Sequence, residues 1–117
     1  MLYHAEVGFP KHFVPPSGRF QLRYTRHAQR EARRDRYADL SYQLPSHIDT
    51  RKARLVEVEF NKVGSPHKMV YRVRGSWGLD LVLAVFTDGY PWRVGTVWAN
   101  EQGDHHKSLN KQRYACP

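Results

Sequence analysis

The sequence predicts an α+β domain in which one N-terminal helix, or two, packs on a four-stranded antiparallel sheet. Two patterns carry that reading. From Thr25 to Leu40 the chain is rich in arginine and alanine at helical spacing, and from Ala53 to Asn100 it holds four alternating or almost wholly apolar runs. The links between those runs are short, which favours antiparallel neighbours, and a helix with a thin apolar face needs one side of such a sheet to lie on. A split barrel is the alternative architecture. A chain of 117 residues suits one core,. Residues 1–18 are expected as an extended lead-in and residues 19–117 as a single α+β domain.

The lead-in carries Pro10, Pro15, Pro16 and Gly18 between Phe9, Phe13 and Val14. Prolines at that density keep a chain extended, with room for a short strand near Tyr3 to Val7. Phe20, Leu22 and Tyr24 alternate with Arg19, Gln21 and Arg23, which permits another short strand. Thr25 is a candidate N-cap for a helix from Arg26 to about Leu40. Within it Ala28 and Ala32 share one face, while Arg26, Arg30, Arg33 and Tyr37 follow another line. Tyr42 to Asp49 reads as a second short helix or a turn.

From Ala53 to Phe60, Val56, Val58 and Phe60 are expected on one face and Glu57 and Glu59 on the other. Asn61 to Lys68, with Gly64 and Pro66, reads as a hairpin connection. Met69, Tyr71 and Val73 mark the inward face of the next strand, whose outward face carries Arg72 and Arg74. Leu79 to Phe86 is apolar at almost every residue and ends at Asp88 and Gly89, as a central strand covered on both faces would,. Trp92 to Asn100 follows, with Val94, Thr96 and Trp98 on one side and Arg93, Gly95, Val97 and Ala99 on the other. The polar segment EQGDHHKSLNKQRY comes next.

The formal net charge of +8 favours a polyanionic partner,. Nucleic acid comes before anionic membrane, because no helix with a strong apolar face is visible. Between residues 19 and 54 ten arginines or lysines face four acidic residues. Cys116 is the only cysteine, so no internal disulfide is possible,. The run at 79–86 is too short to cross a bilayer, and no leader is apparent at the start, which makes the cytoplasm the default expectation.

Three constellations could carry function. His27 with Arg30 and Arg34 places an imidazole beside guanidinium groups. Cleavage of an RNA phosphodiester without a metal needs a base, an acid and cations on the phosphate, and these residue types meet those needs. In the tail, His106 and Asn110 share a direction whether the segment is extended or helical, with Asp104, His105, Lys107, Ser108, Lys111, Arg113 and Tyr114 around them. The third set is aromatic: Trp77, Tyr90, Trp92 and Trp98 exceed what a small core can take, so some could stack on bases, with Arg72 and Arg93 meeting phosphates. Metal binding has little support, because adjacent His105 and His106 cannot easily aim at one ion and no HExxH or CxxC spacing occurs. No glycine-rich phosphate loop points to a nucleotide cofactor. No metal and no cofactor are therefore expected.

The segment YTRHAQREARRDRY resembles the SxHAxxRAxxR opening helix of small domains related to the RelE/ParE-like toxin superfamily. The ending TVWANEQGDHHKSLNKQRY resembles the TVWxNxxxDxHxTLxxxRY ending of small actinobacterial and phage proteins. Together they cover roughly a third of the chain. His27 falls on the helix histidine, and Asp104, His106, Leu109, Arg113 and Tyr114 fall on the ending. Ser108 stands where that ending has Thr, and His105 where it usually has another polar or basic residue. The resemblance implies a helix followed by a curved antiparallel sheet and, in the toxin branch, RNA cleavage; other members of the superfamily poison gyrase.

The function expected is a metal-independent RelE-like endoribonuclease. His27, His106, Asn110, Arg113 and Tyr114 would be catalytic, and Arg26, Arg30, Arg33, Arg34, Arg72, Arg93, Lys107 and Lys111 would hold nucleic acid, RNA before DNA. The ribosome or a neutralising antitoxin are the further partners such an activity suggests. The competing expectations are a nonenzymatic nucleic-acid-binding or phage accessory protein, and a protein-interaction module.

Overall fold

A computed structural model describes residues 1–104 and 110–117. The elements in chain order are β1 (Leu2–His4), β2 (Arg19–Tyr24), α1 (Arg26–Arg33), a 3-10 turn (Leu40–Gln43), β3 (His47–Asp49), β4 (Arg54–Phe60), β5 (Pro66–Arg74), β6 (Leu79–Phe86), β7 (Trp92–Glu101) and a second 3-10 turn (Lys111–Arg113). The seven strands make one sheet, ordered β1, β4, β5, β6, β7, β2, β3. Every neighbouring pair is antiparallel except β2 and β7, which run parallel. The sheet curls into a half-barrel with α1 packed on it.

This corrects the expected four-stranded antiparallel sheet. The meander β4 to β7 is the part that was anticipated. Three further strands join it, two of them only three residues long and so too short to show a period,. The parallel seam pairs Leu22 with Trp92 and Tyr24 with Val94, and no local pattern announces a pairing across about seventy residues. The second helix is also absent in that form: Leu40–Gln43 is a single 3-10 turn, and the chain then extends into β3.

Within residues 1–18, a short strand and two phenylalanines are bound into the fold. β1 pairs with β4, and Phe13 meets Phe9 and Phe60 edge-on at 6.0 and 5.5 Å between ring centres. The inner face holds the larger core, with Met69, Tyr71, Leu81, Leu83, Val85, Val94 and Val97 beneath Ala28 and Ala32 of the helix. Phe20 stacks on Trp92 at 4.0 Å, bridging the parallel seam with two aromatic rings. The outer face has a smaller apolar patch of Val56, Val70, Val82 and Ala84 beside Trp98.

Two bulges decide which side chains reach which face. In β7, Thr96 pairs with Ala84 and Val94 with Val85, so Gly95 is the extra residue,. A Cβ at Gly95 would lie 2.7 Å from Cε2 of Phe86, which is why glycine occupies the bulge. The extra residue puts Val94, Val97 and Ala99 together on the inner face, where strict alternation had separated Val94 from the other two. In β4 the irregularity lies between Leu55 and Glu57, and Val56 joins the outer patch while Val58 stays in the inner core.

Thr25 caps α1, its hydroxyl oxygen accepting the Ala28 N–H at 3.1 Å. The helix stops at Arg33 instead of reaching Leu40. Beyond Ala32 no further small residue falls on the buried line, and Asp35 turns to other donors. Its carboxylate accepts the Ala99 N–H of β7 at 3.1 Å and the Tyr37 N–H at 3.0 Å. It satisfies the edge of β7 where β2 no longer runs alongside.

Candidate nucleic-acid interface

The described part of the C-terminal segment is held on the outer face, and a buried arginine holds its beginning. Arg72, 5 % exposed, donates from Nε to Asp80 Oδ2 at 2.6 Å, from Nη2 to the Glu101 carbonyl at 2.6 Å and from Nη1 to the Asp104 carbonyl at 3.1 Å. Charge-assisted bonds of this kind are about twice as strong as neutral ones, and here they are partly shielded from water,. Arg72 is therefore not a surface cation, and what it grips is the protein's own chain.

Further along, Asn110 caps the second 3-10 turn by accepting the Gln112 N–H at 3.1 Å. Tyr114 donates its hydroxyl to Glu57 Oε1 at 2.7 Å, its ring lies 4.8 Å from that of His4, and the Ala115 N–H reaches the Leu2 carbonyl at 2.8 Å. Loss of solvent, then the Glu57 hydrogen bond and charge, push the Tyr114 phenol up to about 12. Arg113 sits over the Tyr114 ring with its guanidinium carbon 5.6 Å from the ring centre, and Lys111 beside it is exposed.

His27 is elsewhere. Its Nε2 lies 3.2 Å from Glu31 Oε1, one turn along an exposed flank of α1. The helix packs on the inner face and chiefly against β7, whereas Tyr114 is fixed to β1 and β4 on the outer face. Three strand spacings, roughly 14 Å, separate β4 from β7 along the sheet, and the sheet itself lies between the two groups,. The structure does not bring His27 together with Asn110, Arg113 or Tyr114. His106 and Lys107, with His105, Ser108 and Leu109, lie outside the described residues.

The helix arginines make a different arrangement. Arg26, Arg30 and Arg33 point away from the buried Ala28 and Ala32, as a 3.6-residue period requires, and Arg34 follows at the C-cap,. All four are exposed. Beside the helix start, Arg23 of β2 stands in register with Arg93 of β7, two like charges on neighbouring strands. Arg93 in turn lies over the Phe86 ring at 4.5 Å, and Phe86 pairs with Lys68 of β5. Among the described residues none of Arg23, Arg26, Arg30, Arg33, Arg34 and Arg93 has a carboxylate within ion-pair distance. Arg23 and Arg93 alternate with the inward Leu22, Trp92 and Val94 and so stand on the outer face, across the sheet from α1,.

Sequence reasoning passed over Arg23. Its alternation with Leu22 and Tyr24 was visible, but its place beside Arg93 depends on the parallel seam, which was not. Of the four aromatic candidates, Trp92 is buried, Trp98 half-buried beside the outer apolar patch, and Trp77 and Tyr90 are exposed. The Tyr90 hydroxyl accepts the Gln21 N–H at 2.9 Å, so that ring supports β2.

Among the described residues no three His, Cys, Asp or Glu side chains are grouped to hold a metal ion. No described helix is long and apolar enough to cross a membrane. Comparison of the chain with known protein families, with curated proteins and with solved structures finds no match to any of them.

Proposed function

We propose that this is a nucleic-acid-binding protein that grips a phosphate backbone, RNA before DNA, through the exposed arginines of α1. The observation that carries the reading is a run of exposed guanidinium groups with no carboxylate partner among the described residues, in a chain of net charge +8,. An arginine fork matches the geometry of a phosphate, and neighbouring forks along one helix flank can follow a backbone. The reading is of binding: His27 and the described tail side chains stand on opposite faces, so no proton-transfer pair is assigned to them,.

The test is the salt dependence of affinity for a labelled twelve-nucleotide single-stranded RNA, followed by fluorescence anisotropy, with DNA of the same sequence alongside. Four phosphate contacts would weaken binding roughly 50-fold between 50 and 200 mM salt. Replacing Arg26, Arg30 and Arg33 together by glutamine lowers the slope of log K against log salt by about 2. Binding that ignores salt, or a triple variant that binds like the wild type, overturns the proposal.

A further inference from the structure

We propose that Trp77 and Tyr37 form a stacking site for one unpaired base of a single-stranded nucleic acid, beside the arginine surface; this rests on the nucleic-acid reading above. The turn between β5 and β6 presents Trp77 with 76 % of its surface exposed and with φ at +60°. A bulky side chain is rarely found in that backbone region, where glycine is the usual occupant, and the next residue, Gly78 at φ +71°, illustrates the preference,. Trp77 therefore occupies a costly position while contributing little to the core, and its usefulness lies outside the fold.

The turn is held in place. The Gly75 N–H reaches the Leu79 carbonyl at 2.9 Å, the Ser76 N–H reaches Gln43 Oε1 at 3.0 Å, and the Gln102 N–H reaches the Gly78 carbonyl at 3.0 Å. The turn's own closure and two other segments, at Gln43 and Gln102, thus fix the platform that carries the indole. An aromatic ring on a rigid support loses little freedom when a base lies on it, which favours stacking.

Tyr37 shares with Trp77 a cleft of about 620 Å³, whose wall also includes Leu79 and Glu101. The Arg36 guanidinium sits 4.7 Å from the Tyr37 ring centre and donates to its hydroxyl at 3.0 Å. A cation over the Tyr37 ring beside a cleft that Trp77 also lines suits a nucleotide, with phosphate at Arg36 and base at the indole. Glu101 disfavours phosphate inside the cleft, but its carboxylate can accept a hydrogen bond from an exocyclic amino group of adenine, cytosine or guanine. A duplex offers no unstacked base, so the site selects single strands.

The experiment measures the wild type, Trp77→Gly and Tyr37→Ala against single-stranded RNA and against a duplex of equal length. Glycine fits the backbone of the turn, so a folding defect does not account for its effect. Trp77→Gly is expected to weaken single-strand binding on the order of tenfold, with the duplex affinity and the salt slope unchanged. Tyr37→Ala follows the same pattern with a smaller loss. If both variants bind single strands as the wild type does, with the same slope, the stacking site is wrong and the phosphate grip stands. If the wild type binds neither strand, both proposals fall.

Discussion

Arg72 and the arginines of α1 are the same residue type in opposite circumstances. Arg72 is enclosed, with an Asp80 carboxylate and two backbone carbonyls around it; Arg26, Arg30, Arg33 and Arg34 stand in water with no ion-pair partner among the described residues. The difference teaches that net charge does not locate an interface. A guanidinium enclosed by its own chain holds the fold, and one without a partner is open to a phosphate.

The sharpest way to break that comparison is to replace Arg72 by methionine. The Asp80 carboxylate would be left without its counter-charge, and removing one partner of a buried pair costs about 3–5 kcal/mol. The melting temperature should fall on the order of 10 °C or more, and Arg72→Met combined with Asp80→Asn should recover part of the loss. A variant as stable as the wild type would mean that the tail does not depend on this anchor.

Tyr114→Phe tests the other end of the same attachment and should cost about 1–2 kcal/mol in urea denaturation, because it leaves Glu57 without its donor,. Folding raises the affinity of this phenol for its proton, from an ordinary 10.0 up to about 12. Its contribution is therefore complete below pH 10 and disappears as pH climbs towards 12. Burial moves Tyr71 in the same direction, also up to about 12. The wild type should lose stability over that interval, and Tyr114→Phe should lose less.

The smallest effect belongs to the exposed set. Arg26, Arg30 and Arg33 replaced together by glutamine should leave stability within about 0.5 kcal/mol of the wild type while weakening RNA binding. A large stability loss would show that these side chains serve the fold after all, and the contrast with Arg72 would vanish.

Much of this was legible where the signal was local. Thr25 before an alanine and arginine pattern announced the helix start, and the almost wholly apolar run from Leu79 to Phe86 became the central strand, covered by Leu81 and Leu83 on one face and Val82 and Ala84 on the other. Signals that depend on distant parts of the chain were not legible. Alternation put Arg72 on the outward face, correctly, but nothing near residue 72 says that residues 101–104 will close over it. The bulges at Val56 and Gly95 reverse faces that a strict period of two assigns, and β1 and β3 are too short to have a period,. Trp77 was legible as a turn residue from the glycines around it, whereas its neighbour Tyr37, expected within a helix, reaches the same cleft because α1 ends at Arg33.

The parallel seam between β2 and β7 has a consequence in time. The meander from Arg54 to Glu101 is built of hairpins whose strands meet across short turns, so it can form from neighbours in the chain. β2 can pair with β3 without it, but joins the meander only once β7 exists, and the helix that follows β2 packs chiefly on that same strand. Closing that long loop costs entropy before any contact rewards it, which favours residues 19–33 joining the meander late. Substitutions at Leu22 or Trp92 should then chiefly speed unfolding, and those at Leu81 or Leu83 should slow folding.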